Sequence, residues 1–130
     1  MILDTCFVID VMRNDLQAVK RTKELIAKGE PLIVTSPTVF ELFSGITQSM
    51  DSPTEQHKIL SVLAGLLIWQ LDNEAAQKAG EIDGQLIKSH LAIDPIDSMI
   101  AGIALAKGET VLTRNEKHFN RVPGLKTEKY

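Results

Sequence analysis

Leu32-Ile33-Val34-Thr35-Ser36-Pro37 decides how the rest of the chain is read. Leu32, Ile33 and Val34 form a short apolar run, which suits a strand buried on both faces. Ser36 then stands as a helix N-cap with Pro37 at the first helical position, and the helix runs to about Gln48. A strand that passes straight into a helix is half of a parallel β-α-β unit. The pattern recurs on both sides. Met1 to Leu3 is an apolar run that stops at Asp4, and Thr5 to Arg13 has helical spacing (Phe7, Val8, Val11, Met12). Leu16 to Lys28 is a second helix closed by Gly29. Ser52-Pro53 repeats the start signal and opens a helix to about Leu66. Leu67 to Leu71 is a strand, and Asp72 caps a helix from Asn73 to about Ser89. Asp94-Pro95 starts another helix, ending at Lys107-Gly108. Thr110 to Leu112 is a further strand, and Leu125 to Thr127 a last edge strand.

Strands alternating with helices predict an α/β fold of three layers, α/β/α, around a central, mostly parallel sheet. At 130 residues, with no repeat or linker, the chain is read as one domain, 1–130. Its longest apolar stretch, Val62 to Trp69, is too short to span a bilayer, and no signal segment opens the chain. The single cysteine, Cys6, excludes an internal disulfide and suits a reducing compartment, so a cytoplasmic protein with no membrane role is expected. Aromatic residues are only 5%, which argues against base-stacking platforms as the main binding device. The formal charge of −3 is unevenly spread: residues 107–130 carry +3 and the remainder −6. Local basicity decides whether a phosphate backbone is attracted, so the total does not exclude nucleic acid.

In a parallel sheet every strand ends, and every following helix begins, at one edge, and ligand sites lie there. Asp4 ends the first strand, and Glu41 falls in the second turn of the helix after the second. Asp97 is in the first turn of its helix, and Thr113-Arg114-Asn115 follow the strand at 110–112. All are predicted at the same edge. Each has an ordinary alternative: Asp4 a helix cap, Asp97 the acidic position of a capping box, Asn115 a turn residue, Arg114 a surface base. Glu41 is the most pointed, because Val39, Phe40, Leu42 and Phe43 suggest a buried helix in which a lone charge is costly. Its own face carries the small residues Pro37, Thr38, Ser44 and Gly45. His118 is read as a turn or surface residue, His57 and His90 as solvent-facing, and Cys6 as a small buried hydrophobe. Carboxylate and amide oxygens without Cys/His clusters suit Mg²⁺ or Mn²⁺ rather than zinc. Such ions polarise phosphodiesters and activate water.

Ile2-Leu3-Asp4-Thr5, the internal Glu41, Asp97-Ser98-Met99-Ile100-Ala101 and Thr113-Arg114-Asn115 followed by His118-Phe119 resemble, in order and spacing, the PIN domain. More narrowly, the chain resembles the VapC-type toxins, the ribonucleases of toxin–antitoxin pairs. The resemblance spans essentially the whole length. It implies a Mg²⁺-dependent endoribonuclease, with Mn²⁺ able to substitute, that cuts single-stranded or looped RNA by metal-activated water. Asp4 and Asp97 would be the principal metal ligands and Glu41 a third, direct or through water. Asn115 stands where many members have a fourth Asp, and Thr5, Thr113 and Arg114 would contact substrate. The family also implies a homodimer and a cognate antitoxin that blocks the site. Apolar stripes at Val39, Phe43 and Ile46, or Leu60, Leu63 and Leu67, could serve such contacts or simply pack the core.

Two other readings compete. A non-catalytic PIN-like module that binds RNA or protein is suggested by Asn115 in place of an acid. A phosphatase fits poorly: Cys6 stands where a haloacid-dehalogenase-like enzyme wants a second acid after Asp4, and Arg13 is too far from Cys6 for a cysteine-phosphatase loop.

Overall fold

The computed structural model describes residues 1–130. Five strands, β1 (Ile2–Leu3), β2 (Ile33–Thr35), β3 (Leu67–Trp69), β4 (Thr110–Leu112) and β5 (Lys126–Glu128), form one sheet in the order β3-β2-β1-β4-β5. Every neighbouring pair is parallel, so the sheet is wholly rather than mostly parallel.

Side-chain alternation along three very short strands divides the core in two. Ile2, Ile33 and Val111 point to one face and pack with α5 (Asn73–Lys88) and α6 (Pro95–Lys107). Leu3, Val34 and Leu112 point to the other and pack with α1 (Thr5–Met12), α2 (Leu16–Ala27), α3 (Ser36–Thr47) and α4 (Ser52–Leu63). This is the three-layer α/β/α arrangement.

Local chemistry sets the helix ends. Asp4, Asp15, Asp72 and Asp94 each accept a backbone N–H from the first turn of the helix that follows. Gly29 and Gly108 take positive φ, +70° and +68°, just beyond α2 and α6, where a side chain would be strained. The cap of α3 is Thr35, not Ser36: Thr35 Oγ1 accepts from Thr38 N–H, and Ser36 Oγ instead accepts from Leu71 N–H at 3.0 Å. Ser52 likewise begins α4 without capping it, and α4 stops at Leu63 rather than Leu66. A seventh helix, α7 (Glu116–Phe119), was not foreseen, because four residues are too few to show a helical period. Its Phe119 is fully buried and holds the segment down.

The strand order places the site. From β1 the chain runs outward through β2 and β3, then returns to lay β4 and β5 on the other side of β1. The crevice between the carboxyl ends of β1 and β4 is therefore the switch point where α/β sheets open a cleft.

Candidate active site

Asp4 and Thr113 leave β1 and β4 side by side at that crevice, one step past the Leu3–Leu112 pairing. Asp4 is 4% exposed, and its carboxylate accepts three hydrogen bonds. Oδ1 accepts the Thr5 N–H at 2.7 Å. Oδ2 accepts the Thr113 hydroxyl at 2.7 Å and the Cys6 thiol at 2.9 Å. Thr113 Oγ1 in turn accepts the Asn115 N–H at 2.8 Å, so its one proton is committed to Asp4. Asp4 thus is the cap expected for α1 and also the floor of the cleft.

Thr5 turns its hydroxyl to Glu41 Oε2 at 2.6 Å, bringing α3 to α1. Both threonines are buried and both hydroxyls donate to acids, so Thr113 supports Asp4 and Thr5 supports Glu41. The setting of Glu41 also differs from expectation. Phe40 is 65% exposed and Glu41 faces solvent on the cleft wall, so its charge is not a buried one demanding a cation. The stripe around it divides: Ile46 is core, Val39 and Phe43 pack partly against core.

Asp97, at the third position of α6, forms no capping box; Asp94 alone caps, at Ile96 N–H. The Asp97 carboxylate meets His118 Nδ1 at 3.1 Å, and the same nitrogen lies 2.8 Å from the Asn115 side-chain amide. One imidazole nitrogen cannot both donate and accept. Beside a carboxylate Nδ1 carries the proton and donates it to Asp97, which leaves the neighbouring Asn115 Nδ2 group without an acceptor there. Burial pushes the Asp97 pKa up to about 6, a rise opposed by the hydrogen bond from His118 and reinforced by the charge of Asp4. His118 is therefore a cleft residue rather than a turn or surface residue.

Cys6 is half-buried, and its thiol pKa is raised by burial and then by Asp4. It remains a protonated donor rather than the inert hydrophobe expected. His57 and His90 are exposed, as read. Of the basic residues from Lys107 onward, Arg114 lines the cleft, whereas Arg121 donates to the Leu91 and Ala92 carbonyls and Lys107 pairs with Asp72.

Asp4, Glu41, Asp94 and Asp97 together line an open cleft of about 360 Å³, with Arg13, Arg114, Asn115 and His118 on its walls. Arg13 and Asp94 were missed as site residues. A signal existed for Arg13: Cys6, Ile9 and Arg13 share one face of α1 at three- and four-residue spacing. Nothing in the local pattern marked Asp94 beyond its cap.

The donor set suits a hard divalent cation: carboxylates and an amide oxygen, with the Asp97 carboxyl pKa raised chiefly by burial and further by the charge of Asp4. No three His, Cys, Asp or Glu side chains converge closely enough to enclose an ion unaided.

The PIN-domain family profile matches residues 1–125, and the chain belongs to that family. Ribonuclease VapC2 of Haemophilus influenzae is 31% identical over 129 residues, covering 98% of this chain and 96% of the relative. The tRNA(fMet)-specific endonuclease VapC of Salmonella typhimurium is 28% identical, covering 97% and 94%. In three dimensions the chain is similar to VapBC2 from Rickettsia felis, solved bound to a promoter DNA fragment, with TM-score 0.89, 27% identity and 99% and 97% of the two chains covered. Within the PIN family it is a nuclease of the VapC type, the toxin component of toxin–antitoxin systems. No helix is long and apolar enough to cross a membrane.

Proposed function

We propose that the protein is a divalent-cation-dependent endoribonuclease that cuts single-stranded or looped RNA and leaves a 5′-phosphate and a 3′-hydroxyl. The carrying observation is the convergence of Asp4, Glu41 and Asp97 on one cleft that Arg114 also lines. Asp4 and Asp97 would hold Mg²⁺, or Mn²⁺ in its place, with Glu41 and Asn115 reaching it directly or through water. When bound, the ion supplies Lewis-acid polarisation of a phosphodiester oxygen and a lowered pKa for its water.

The chain's own residues do the positioning. Thr113, Cys6 and the Thr5 N–H hold Asp4 in one orientation, and His118 holds Asp97. Cys6 is no nucleophile, since burial and Asp4 both keep its thiol protonated. Arg114 offers a fixed positive charge to a backbone phosphate.

A groove of about 400 Å³ between α1, α3 and α4 shares Ile9, Arg13 and Glu41 with the cleft. The cognate antitoxin would lie along it and block the acids with a cationic side chain. A homodimer is the expected assembly, and the exposed Leu60, Leu67 and Ile68 are apolar surface available to it.

The test is cleavage of a labelled structured RNA by metal-stripped protein with Mg²⁺ or Mn²⁺ restored, beside Asp4→Asn and Asp97→Asn. Cleavage that needs the ion and is lost in both variants supports the reading. RNA binding without cleavage, insensitive to metal, would favour the non-catalytic module that Asn115 suggests. Metal-independent cleavage surviving both substitutions would refute the site.

A further inference from the structure

Asp10 is a buried carboxylate that the acid cleft does not use. It sits on α1, 6% exposed, and its Oδ2 collects two donors. Arg114 Nη1 donates at 2.7 Å, and the Tyr130 hydroxyl donates at 2.7 Å. The Tyr130 ring stands edge-on to the buried Phe7, with centroids 4.6 Å apart and planes at 88°. The phenol is thereby anchored by packing as well as by its hydroxyl. Arg114, by contrast, is 55% exposed in its side chain and lines the cleft together with Asp4 and Asp97. A surface arginine ordinarily samples many rotamers. Here one nitrogen is tied to a buried anion, and the remaining guanidinium donors stay free at the cleft rim. The asymmetry is informative. A carboxylate is desolvated, and a phenol spent on it, to hold a charge that is itself left in solvent.

We propose that Asp10 and Tyr130 are positioning residues that fix Arg114 at the rim of the cleft, so that its guanidinium meets a backbone phosphate of single-stranded RNA. The proposal rests on the nuclease reading for its substrate class but can be measured without cleavage. The acid cleft repels an approaching phosphate backbone. A guanidinium held in one place offsets that repulsion where the strand must enter, and it donates in a planar fork suited to phosphate oxygens. The pairing also keeps Arg114 more firmly protonated than an isolated arginine, through the charge of Asp10.

The experiment uses the full chain with Arg114→Ala, Asp10→Asn, Tyr130→Phe and the Asp10→Asn/Arg114→Ala double variant. Binding of a fluorescein-labelled single-stranded RNA is measured in EDTA across a salt series, and KM and kcat are measured separately with Mn²⁺. Arg114→Ala should raise KM about tenfold, leave kcat within about twofold, and flatten the slope of log K against log salt by about 0.7. Asp10→Asn should raise KM about threefold in the same pattern, and the double variant should be no worse than Arg114→Ala alone. Wild-type KM and salt slope in Asp10→Asn would overturn the proposal and leave the pair a structural ion pair. Additive losses in the double variant, or a loss confined to kcat, would overturn it equally. If Asp10→Asn does not fold, Tyr130→Phe decides, since it keeps the ring on Phe7 and removes only the hydroxyl. A raised KM and flattened slope sustain the proposal, and wild-type values overturn it. Wild-type protein that binds RNA with this dependence on Arg114 and Asp10 but never cleaves would refute the nuclease reading alone.

Discussion

Gly102 lies where α6 crosses α5, and substituting it tests how the helix that carries Asp97 is held. A Cβ at this position would stand 2.7 Å from Ala75 O, from Ala79 N and from Ala79 Cβ. Two of those atoms are backbone, so no rotamer change relieves the clash. Restoring ordinary contact requires α5 and α6 to separate by about 0.7 Å along much of their buried face. Overpacking of this kind costs about 1–3 kcal/mol. Against it stands the gain in helix propensity of alanine over glycine, about 1 kcal/mol. The clash involves three contacts at once, which places the cost in the upper part of its range and leaves a net loss of about 1–2 kcal/mol. For 130 residues, with unfolding entropy about 2.1 cal/mol/K per residue, each kcal/mol is worth about 4 °C. Gly102→Ala should therefore lower Tm by about 4–8 °C. Gly84, on α5, has no atom within 4 Å of its would-be Cβ, so Gly84→Ala keeps only the propensity gain and should raise Tm by about 2–4 °C. Differential scanning calorimetry of the two variants at neutral pH, in EDTA, reads both signs. A neutral or stabilising Gly102→Ala would show that the helices do not approach as closely as this packing requires, and the reasoning would fail.

Three further outcomes follow from the site. Asp97 has a folded pKa of about 6, above its ordinary 3.8, so the folded state binds more protons than the unfolded one between those values. This carboxyl therefore destabilises the metal-free fold increasingly as pH rises from about 4 to about 6, and by a constant amount above. Asp97→Asn should unfold at a higher temperature than wild type at pH 7 in EDTA, with the gap closing toward pH 4; a gap that widens on acidification would contradict it. Thr113→Val leaves Asp4 without one donor and the Asn115 N–H without its acceptor, and should cost about 1–3 kcal/mol in urea unfolding. Unchanged stability would mean that water replaces both bonds. His118→Ala frees the Asp97 carboxylate, and should weaken Mn²⁺ binding, read by calorimetric titration, by about tenfold or more. Wild-type affinity would remove His118 from the support of the site.

Strand and helix order and the acid-bearing edge could be read from the chain. Short apolar runs ending in Asp4 or Pro37, and glycines after periodic segments, are local signals set by backbone sterics and hydrogen bonding. Asp4, Asp97 and Asn115 could be placed at one edge because a parallel sheet leaves no other place for strand ends. The environments of those residues were a different matter. The local sequence made Glu41 look buried, yet Phe40 beside it faces solvent, because burial depends on which neighbouring helix covers a face. The hydrogen bonds of Thr5 to Glu41 and of Thr113 to Asp4 join elements far apart in sequence, and no local pattern shows them. His118 stands out only within the family resemblance and not by itself, since the helix that presents it is one turn long and pinned by a distant core through Phe119. Asp10 lies more than a hundred residues from both Arg114 and Tyr130 and meets them only when β4 is laid beside β1 and β5 beside β4. Periodicity reports what a residue's own backbone will do. Which carboxylate meets which donor is decided by packing between elements distant in sequence, and that is where the properties of this site reside.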